Sequence, residues 1–228
     1  MINNRSRKLN DILSQAARVF CERGYHAASM RDVARAADTS LAGLYYYVSG
    51  KEHLLYLIQR NSFETLLANA RGALGAASDP EQRLRAIIRL HLGFFLEHPS
   101  EMKVLTHEEH SLEEAWRREI HALRKAYYQL AYEQVERLAA AGKLRRINPR
   151  IAVLSLFGMM NWIYMWYRPG SDPEAESLAE AMAEMFFLGV RRERSRAKTA
   201  VRGRERAAGA FLAANALHEA RPARSAAQ

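Results

Sequence analysis

The chain has 228 residues, 49% of them hydrophobic and 26% charged, with a formal net charge of +9 at pH 7. That is enough apolar material for one large domain, or a small domain joined to a larger one, and it excludes a chain too polar to fold. A single cysteine excludes an internal disulfide, and the longest apolar stretch, near 151 to 167, is interrupted by Ser155, Gly158 and Asn161, which speaks against a membrane span.

The charge is spread unevenly. Residues 1–55 carry +3, residues 56–190 carry −1 and residues 191–228 carry +7. Such a distribution suits a polyanion at the amino end and a nearly neutral body for a partner or small molecule. Few prolines and glycines punctuate long helical patterns, no alternating strand pattern occurs, and the fold class expected is all-α with about nine helices. The amino terminus lacks an apolar run of signal-peptide length, so a cytoplasmic location is expected.

In chain order, residues 5–23 present Leu9, Ile12, Leu13, Ala16, Ala17, Val19 and Phe20 at helical spacing, and Gly24 closes this helix. Arg5, Arg7 and Lys8 at its start are either a solvated face or phosphate contacts. Cys21, beside the apolar stripe, is a small core filler or a redox-sensing thiol. Ser29 with Asp32 is a capping-box-like start. Asp38-Thr39-Ser40 then breaks the second helix, and Ser40 caps a third, Leu41 to Tyr47. Two short helices joined by a tight polar turn make a helix-turn-helix. Leu41, Ala42 and Gly43 let the second of them approach a surface closely. Tyr45, Tyr46 and Tyr47 point about 100° apart, so that some hydroxyls can face outward. Lys51 and the first-turn N–H groups of the fourth helix suit a phosphate.

The fourth helix is expected from Lys51 to about Arg71. Asp79-Pro80 starts a fifth that His98-Pro99 stops. His107-Glu108-Glu109-His110 offers metal-ligand types without a third ligand at a fitting spacing, and reads as a solvated polar turn. Ser111 with Glu114 reads as a second capping box opening the longest helix, to about Ala141. Asn148-Pro149 caps a helix apolar nearly all round, which must be covered on more than one side. Asp172-Pro173 starts the last helix, which runs to about Val190. From Arg191 the composition turns to Arg, Lys, Ala and Gly, and 196–228 reads as a basic tail, either a helix extension or a nonspecific phosphate contact. The expected division is 1–55, 56–195 and 196–228. No nucleophile, base and orienter share a spacing that would make an enzyme. A non-regulatory helical scaffold would not need the turn chemistry between Ser29 and Lys51.

Gly24-Tyr25, Ser29, Val33-Ala34, Ala37, Ser40, Leu44-Tyr45-Tyr46-Tyr47-Val48 and Lys51-Glu52-His53-Leu54-Leu55 together resemble the amino-terminal signature of the TetR family of bacterial transcriptional repressors. The resemblance implies a double-stranded DNA operator, a small-molecule effector, a homodimer paired through the last two helices, and no enzymatic activity, metal or membrane association. Carried onto this sequence, it implies a DNA-binding set of Ser29, Arg31, Thr39, Ser40, Leu41, Ala42, Gly43, Tyr45, Tyr46, Tyr47 and Lys51. The stretch Asn161 to Gly170, with the Glu108-Glu109 and Trp116 region, is similar to the branch that responds to acyl-CoA thioesters. That likeness implies no resident cofactor and an effector tunnel lined by Trp116, Tyr127, Phe157, Met160, Asn161, Tyr164 and Met165, with Arg168 beside it. A non-CoA hydrophobic or multidrug-type effector is the alternative.

Overall fold

A computed structural model of the chain describes residues 4–108 and 111–191; the basic tail, and Glu109 and His110 of the polar turn, lie outside the described residues. The described residues form ten helical segments. The head begins with α1 (Asn4–Arg23), α2 (Met30–Ala36) and α3 (Leu41–Tyr47), and then α4 (Lys51–Ala76) leads into the body. The body continues with α5 (Pro80–Glu97), α6 (Pro99–His107), α7 (Glu114–Ala140), α8 (Pro149–Asn161), α9 (Ile163–Trp166) and α10 (Ala175–Val190). Helices α8 and α9 are one helix interrupted at Trp162, so about nine helices is the right count.

Local chemistry sets most of these ends. Gly24 has φ +80°, in the left-handed region where a side chain is disfavoured, and this lets the chain leave α1 sharply. Asp79 Oδ2 accepts from the backbone N–H groups of Glu81 and Gln82 at 3.0 and 3.1 Å, and Pro80 fills the first turn, where no N–H partner is needed. Asn148 caps α8 in the same way, through Arg150 N at 2.9 Å.

Three expected ends are corrected. The box of Ser111 with Glu114 does not form: Ser111 Oγ donates to Glu108 Oε2 at 2.9 Å, and α7 starts at Glu114 with no side-chain cap. Asp172 accepts from Arg168 N at 2.6 Å, closing the turn after α9, and α10 starts only at Ala175. Each side chain found a nearer turn to close than the helix it was expected to cap. Helix α4 runs past its expected end near Arg71 to Ala76, whereas His98-Pro99 ends α5 where expected and Pro99 then serves in the first turn of α6.

One buried apolar cluster runs through head and body. Helix α4 crosses the expected border after Leu55 without a break and packs on α7 and α5, while α1 packs on α6. Helix α5 is the axle of the body: Leu84, Ile87, Ile88 and Leu92 are fully buried among α4, α7 and α10. Arg85, paired with Glu81 on its own helix, fixes α10 to it by binding Glu180 at 2.8 Å and also Glu184, with its guanidinium over Phe187. Among the described residues, no helix is long and apolar enough to cross a membrane.

Candidate functional site

Two places in the molecule combine chemistry with access: the outer face of the head, and a chamber in the body. In the head, Ser29 and Asp32 form a closed box. Ser29 Oγ donates to Asp32 Oδ2 at 2.6 Å, Ser29 N donates to the same oxygen at 3.0 Å, and Asp32 N donates back to Ser29 Oγ at 3.2 Å. Those bonds, then Arg23 at 2.8 Å, hold the Asp32 carboxyl below the usual carboxylate range. Loss of such a cap costs about 1 kcal/mol. The turn to α3 uses Asp38 at φ 46°, a left-handed conformation that Asp tolerates better than most residues. Ser40 Oγ then accepts from Gly43 N at 2.9 Å, while a Cβ on Gly43 would meet Thr39 Oγ1 at 2.7 Å. Thr39, Leu41 and Gly43 are half-buried, and Ser40 and Ala42 are exposed, so the start of α3 is a low, small-residue edge.

Leu44 and Val48 anchor α3 to the core. Tyr45 and Tyr46 are exposed and Tyr47 half-buried, with the Tyr46 and Tyr47 rings edge to face at 5.2 Å. The Arg5 guanidinium lies 5.0 Å over the Tyr46 ring, and Lys8 Nζ donates to Ala37 O at the end of α2. The basic start of α1 thus braces both helices of the motif. Arg31 points outward from α2.

Lys51 departs from its expected role. Its ammonium donates to Tyr25 O, His26 O and Ala28 O at 2.9, 3.0 and 3.1 Å, with the Tyr25 ring 4.7 Å away. All three of its N–H groups are used inside the protein. The physical reason is that the turn between α1 and α2 exposes three carbonyls to the first turn of α4, and only a cation there can satisfy them together. Tyr25 is held neutral, its hydroxyl pushed up to about 12 by burial and then by Glu52 and Glu108.

In the body, a cavity of about 280 Å³ is lined by Phe63 and Leu66 of α4, His91 of α5, Met102, Leu105 and Thr106 of α6, Arg124, Tyr127 and Tyr128 of α7, and Leu154, Phe157 and Asn161 of α8. Its wall is mostly apolar with a few convergent polar groups, the usual make-up of a small-molecule site. His91 is 3% exposed and bridges Tyr127 and Asn161, with Nδ1 at 3.2 Å from the Tyr127 hydroxyl and Nε2 at 3.1 Å from Asn161 Oδ1. Burial pulls its pKa down to about 3, so the ring is neutral. Burial also raises the Tyr127 hydroxyl.

A second, open groove adjoins the cavity and shares Arg124, Tyr128 and Leu154 with it. Its other walls are His121, Lys125, Gln129, Tyr132 and Arg150, and Tyr128 and Tyr132 stack at 5.8 Å. The apolar chamber therefore adjoins a basic, aromatic groove.

Of the tunnel residues expected from sequence, Tyr127, Phe157 and Asn161 come together on this chamber, and five go elsewhere. Trp116 stacks on Tyr56 at 5.0 Å and on His53 at 5.5 Å, between α4 and α7, because its position near the start of α7 faces the first turns of α4. Met160 is wholly buried in the core, on the helix face turned from the cavity. Tyr164 accompanies His107, whose Nε2 is 2.9 Å from its hydroxyl, and lines a separate cleft with Cys21, Lys103 and Pro169. Met165 is 59% exposed, and Arg168 is exposed in the turn after α9. The break at Trp162 rotates everything after Asn161 away from the chamber. Sequence reasoning missed His91, although a histidine at the Leu84, Ile87, Ile88, Phe95 spacing is the one polar residue on α5's buried stripe. Arg124 and Tyr128 carried no such signal.

A short helix presented by a capped turn, on a head continuous with a chambered helical body, defines a DNA-binding transcriptional regulator of the helix-turn-helix class. Comparison with known proteins agrees. Residues 12–56 match the bacterial regulatory proteins of the tetR family, and residues 77–190 match the tetracyclin repressor-like C-terminal domain. The chain belongs to the TetR family and is a regulator rather than an enzyme. It is similar to the TetR family transcriptional regulator PfmR from Thermus thermophilus, with 30% identity and a TM-score of 0.72 over 79% of this chain and 99% of that one. It is equally similar to AibR, solved in complex with isovaleryl coenzyme A and operator DNA, with 30% identity and a TM-score of 0.72 over 79% of this chain and 98% of that one. The transcriptional activator FasR of Mycolicibacterium smegmatis is 35% identical over 97 residues, which span 42% of this chain and 44% of FasR.

Proposed function

We propose that the chain is a homodimeric repressor in the cytoplasm that is released from a palindromic operator by an acyl-CoA thioester. One observation carries the effector class: the apolar chamber adjoins, across Arg124, Tyr128 and Leu154, a groove with Lys125, Arg150 and a stacked tyrosine pair. An acyl group needs the first environment, and a nucleotide with its phosphates needs the second. The isovaleryl coenzyme A in AibR supports the same class.

The dimer surface is α8 with α10. Ile151 on α8 and Trp162 just after it, and Met185 and Leu188 on α10, are exposed apolar side chains, with Met185 66% and Leu188 72% exposed. A second copy would cover both as a four-helix bundle. On DNA, Thr39, Leu41, Ala42 and Gly43 enter the major groove, while Ser29, Ser40, Arg31, Tyr45, Tyr46 and Tyr47 meet the backbone. Lys51 shapes the head from inside.

The switch runs along α7. That helix carries Arg124, Tyr127 and Tyr128 at the chamber and Trp116 two to three turns earlier in the stack with His53 and Tyr56. Glu52 also accepts from Glu113 N, and Tyr56 donates to Glu119 Oε2 at 2.8 Å. A ligand that favours a shifted α7 moves the root of α4 and spoils the spacing of the two heads. Coupling of roughly 3 kcal/mol weakens operator binding about 150-fold.

The test is a fluorescence anisotropy titration of the protein on the upstream region of its own gene, with acyl-CoAs and the matching free acids added in turn. Release by the CoA thioesters is expected. Release by the free acids alone, or by neither, rules out the thioester.

A further inference from the structure

Three hydrogen-bonded polar side chains, Tyr127, His91 and Asn161, stand in a row on the wall of the mostly apolar chamber. The neutral imidazole of His91 carries one N–H. Asn161 Oδ1 can only accept, so Nε2 holds that hydrogen and Nδ1 accepts from the Tyr127 hydroxyl. The relay uses the Asn161 carbonyl and fixes the plane of its amide. Asn161 Nδ2 is left with two N–H groups that make no hydrogen bond among the described residues, on a side chain that lines the chamber.

Asn161 is at the end of α8, seven residues past Leu154 of the shared rim. Seven residues of helix put it about 10 Å along the axis from that rim residue. A thioester carbonyl held beside Leu154 is too far away to reach the amide, which therefore faces a part of the acyl group beyond the thioester. We propose that Asn161 Nδ2 is the specificity donor of the chamber and takes a neutral acceptor oxygen, of a ketone or hydroxyl, near the far end of the effector's acyl group, with His91 and Tyr127 as positioning residues. The inference rests on the effector reading of the chamber.

Two alternatives are disfavoured by the same wall. A plain hydrocarbon end would strip water from Nδ2 and return no partner. A carboxylate end would be desolvated against an uncharged relay that offers it no cation.

The experiment measures affinities of the full chain, by intrinsic tryptophan fluorescence, for octanoyl-CoA and its analogue carrying a ketone at the penultimate carbon. The same two chains are run without CoA, as octane and its methyl ketone. Wild type should bind the keto-acyl-CoA about 10- to 100-fold more tightly than octanoyl-CoA. Asn161→Leu should erase that ratio, and Asn161→Asp, which keeps the shape but removes the donor, should erase it too. His91→Phe should reduce the ratio, whereas a purely structural histidine would weaken both ligands alike and leave the ratio unchanged. Equal binding of the two thioesters by wild type overturns the inference and leaves the CoA reading standing. Preference for the methyl ketone with no binding of either thioester keeps the inference and overturns the CoA reading. Binding of none of the four overturns both.

Discussion

The head and the chamber are built by opposite means. In the head, apart from Lys8 with Ala37 O and Lys51, polar groups are satisfied by neighbours close along the chain: Ser29 by Asp32, Gly43 by Ser40, Ser49 by His53. The chamber draws its wall from α4, α5, α6, α7 and α8, and its central bond pairs, His91 with Tyr127 and with Asn161, join residues 36 and 70 positions apart. The head's elements are thus held by local bonds, while the chamber depends on how five helices pack. Lys51 and Trp116 are the residues that cross between the two modes, one tying the α1–α2 turn to α4, the other tying α4 to α7.

The largest effect that would break this division is loss of the second copy. Replacing Met185 and Leu188 by Glu should give a monomer by light scattering and weaken operator binding by more than about 100-fold, since one head reads one half-site. A dimer with unchanged affinity would move the interface off α10.

Next comes Lys51→Ala. Removing a cation with three carbonyl partners should cost about 2–3 kcal/mol of stability and leave the salt dependence of DNA binding nearly unchanged. Arg31→Ala should show the converse, an unaltered melting temperature and a salt slope reduced by about one. A reduced slope for Lys51→Ala would return that residue to the phosphate.

Trp116→Ala sharpens the comparison at the other crossing. It should lower stability by about 2 kcal/mol through the lost stack and leave effector affinity nearly intact. The effector should then release DNA less completely. Loss of effector affinity in proportion to the loss of stability would put Trp116 back in the tunnel.

Last comes the acid response of His91, which is spread over several pH units. Its folded pKa is near 3 against an unfolded value near 6.5. Between those values the unfolded chain binds a proton that the folded chain does not, so stability is complete above about pH 6.5 and falls by about 1.4 kcal/mol per unit as the pH drops toward 3. Urea denaturation at a series of pH values should show this slope in wild type and a shallower one in His91→Phe. Equal slopes would mean that the ring is hydrated.

The features legible in the bare sequence are those that local chemistry decides. Capping side chains, first-turn prolines and apolar spacing carried the all-helical class, the helix order and the helix-turn-helix between Ser29 and Lys51, because each such signal acts within about one helical turn. Where a side chain had two local turns to choose from, as Ser111 and Asp172 did, spacing could not rank them. Long-range packing alone settled the fate of Lys51, whose partners are 23 to 26 residues away, and the identity of the chamber wall. Helical periodicity says that a face is buried, not against which helix, and the break at Trp162 turned Tyr164, Met165 and Arg168 away from a cavity that Asn161 still faces. His91 was visible as a polar residue on an apolar stripe, but its meaning required Tyr127 and Asn161 to arrive from two other helices, and that meeting is fixed by packing rather than by any spacing along the chain.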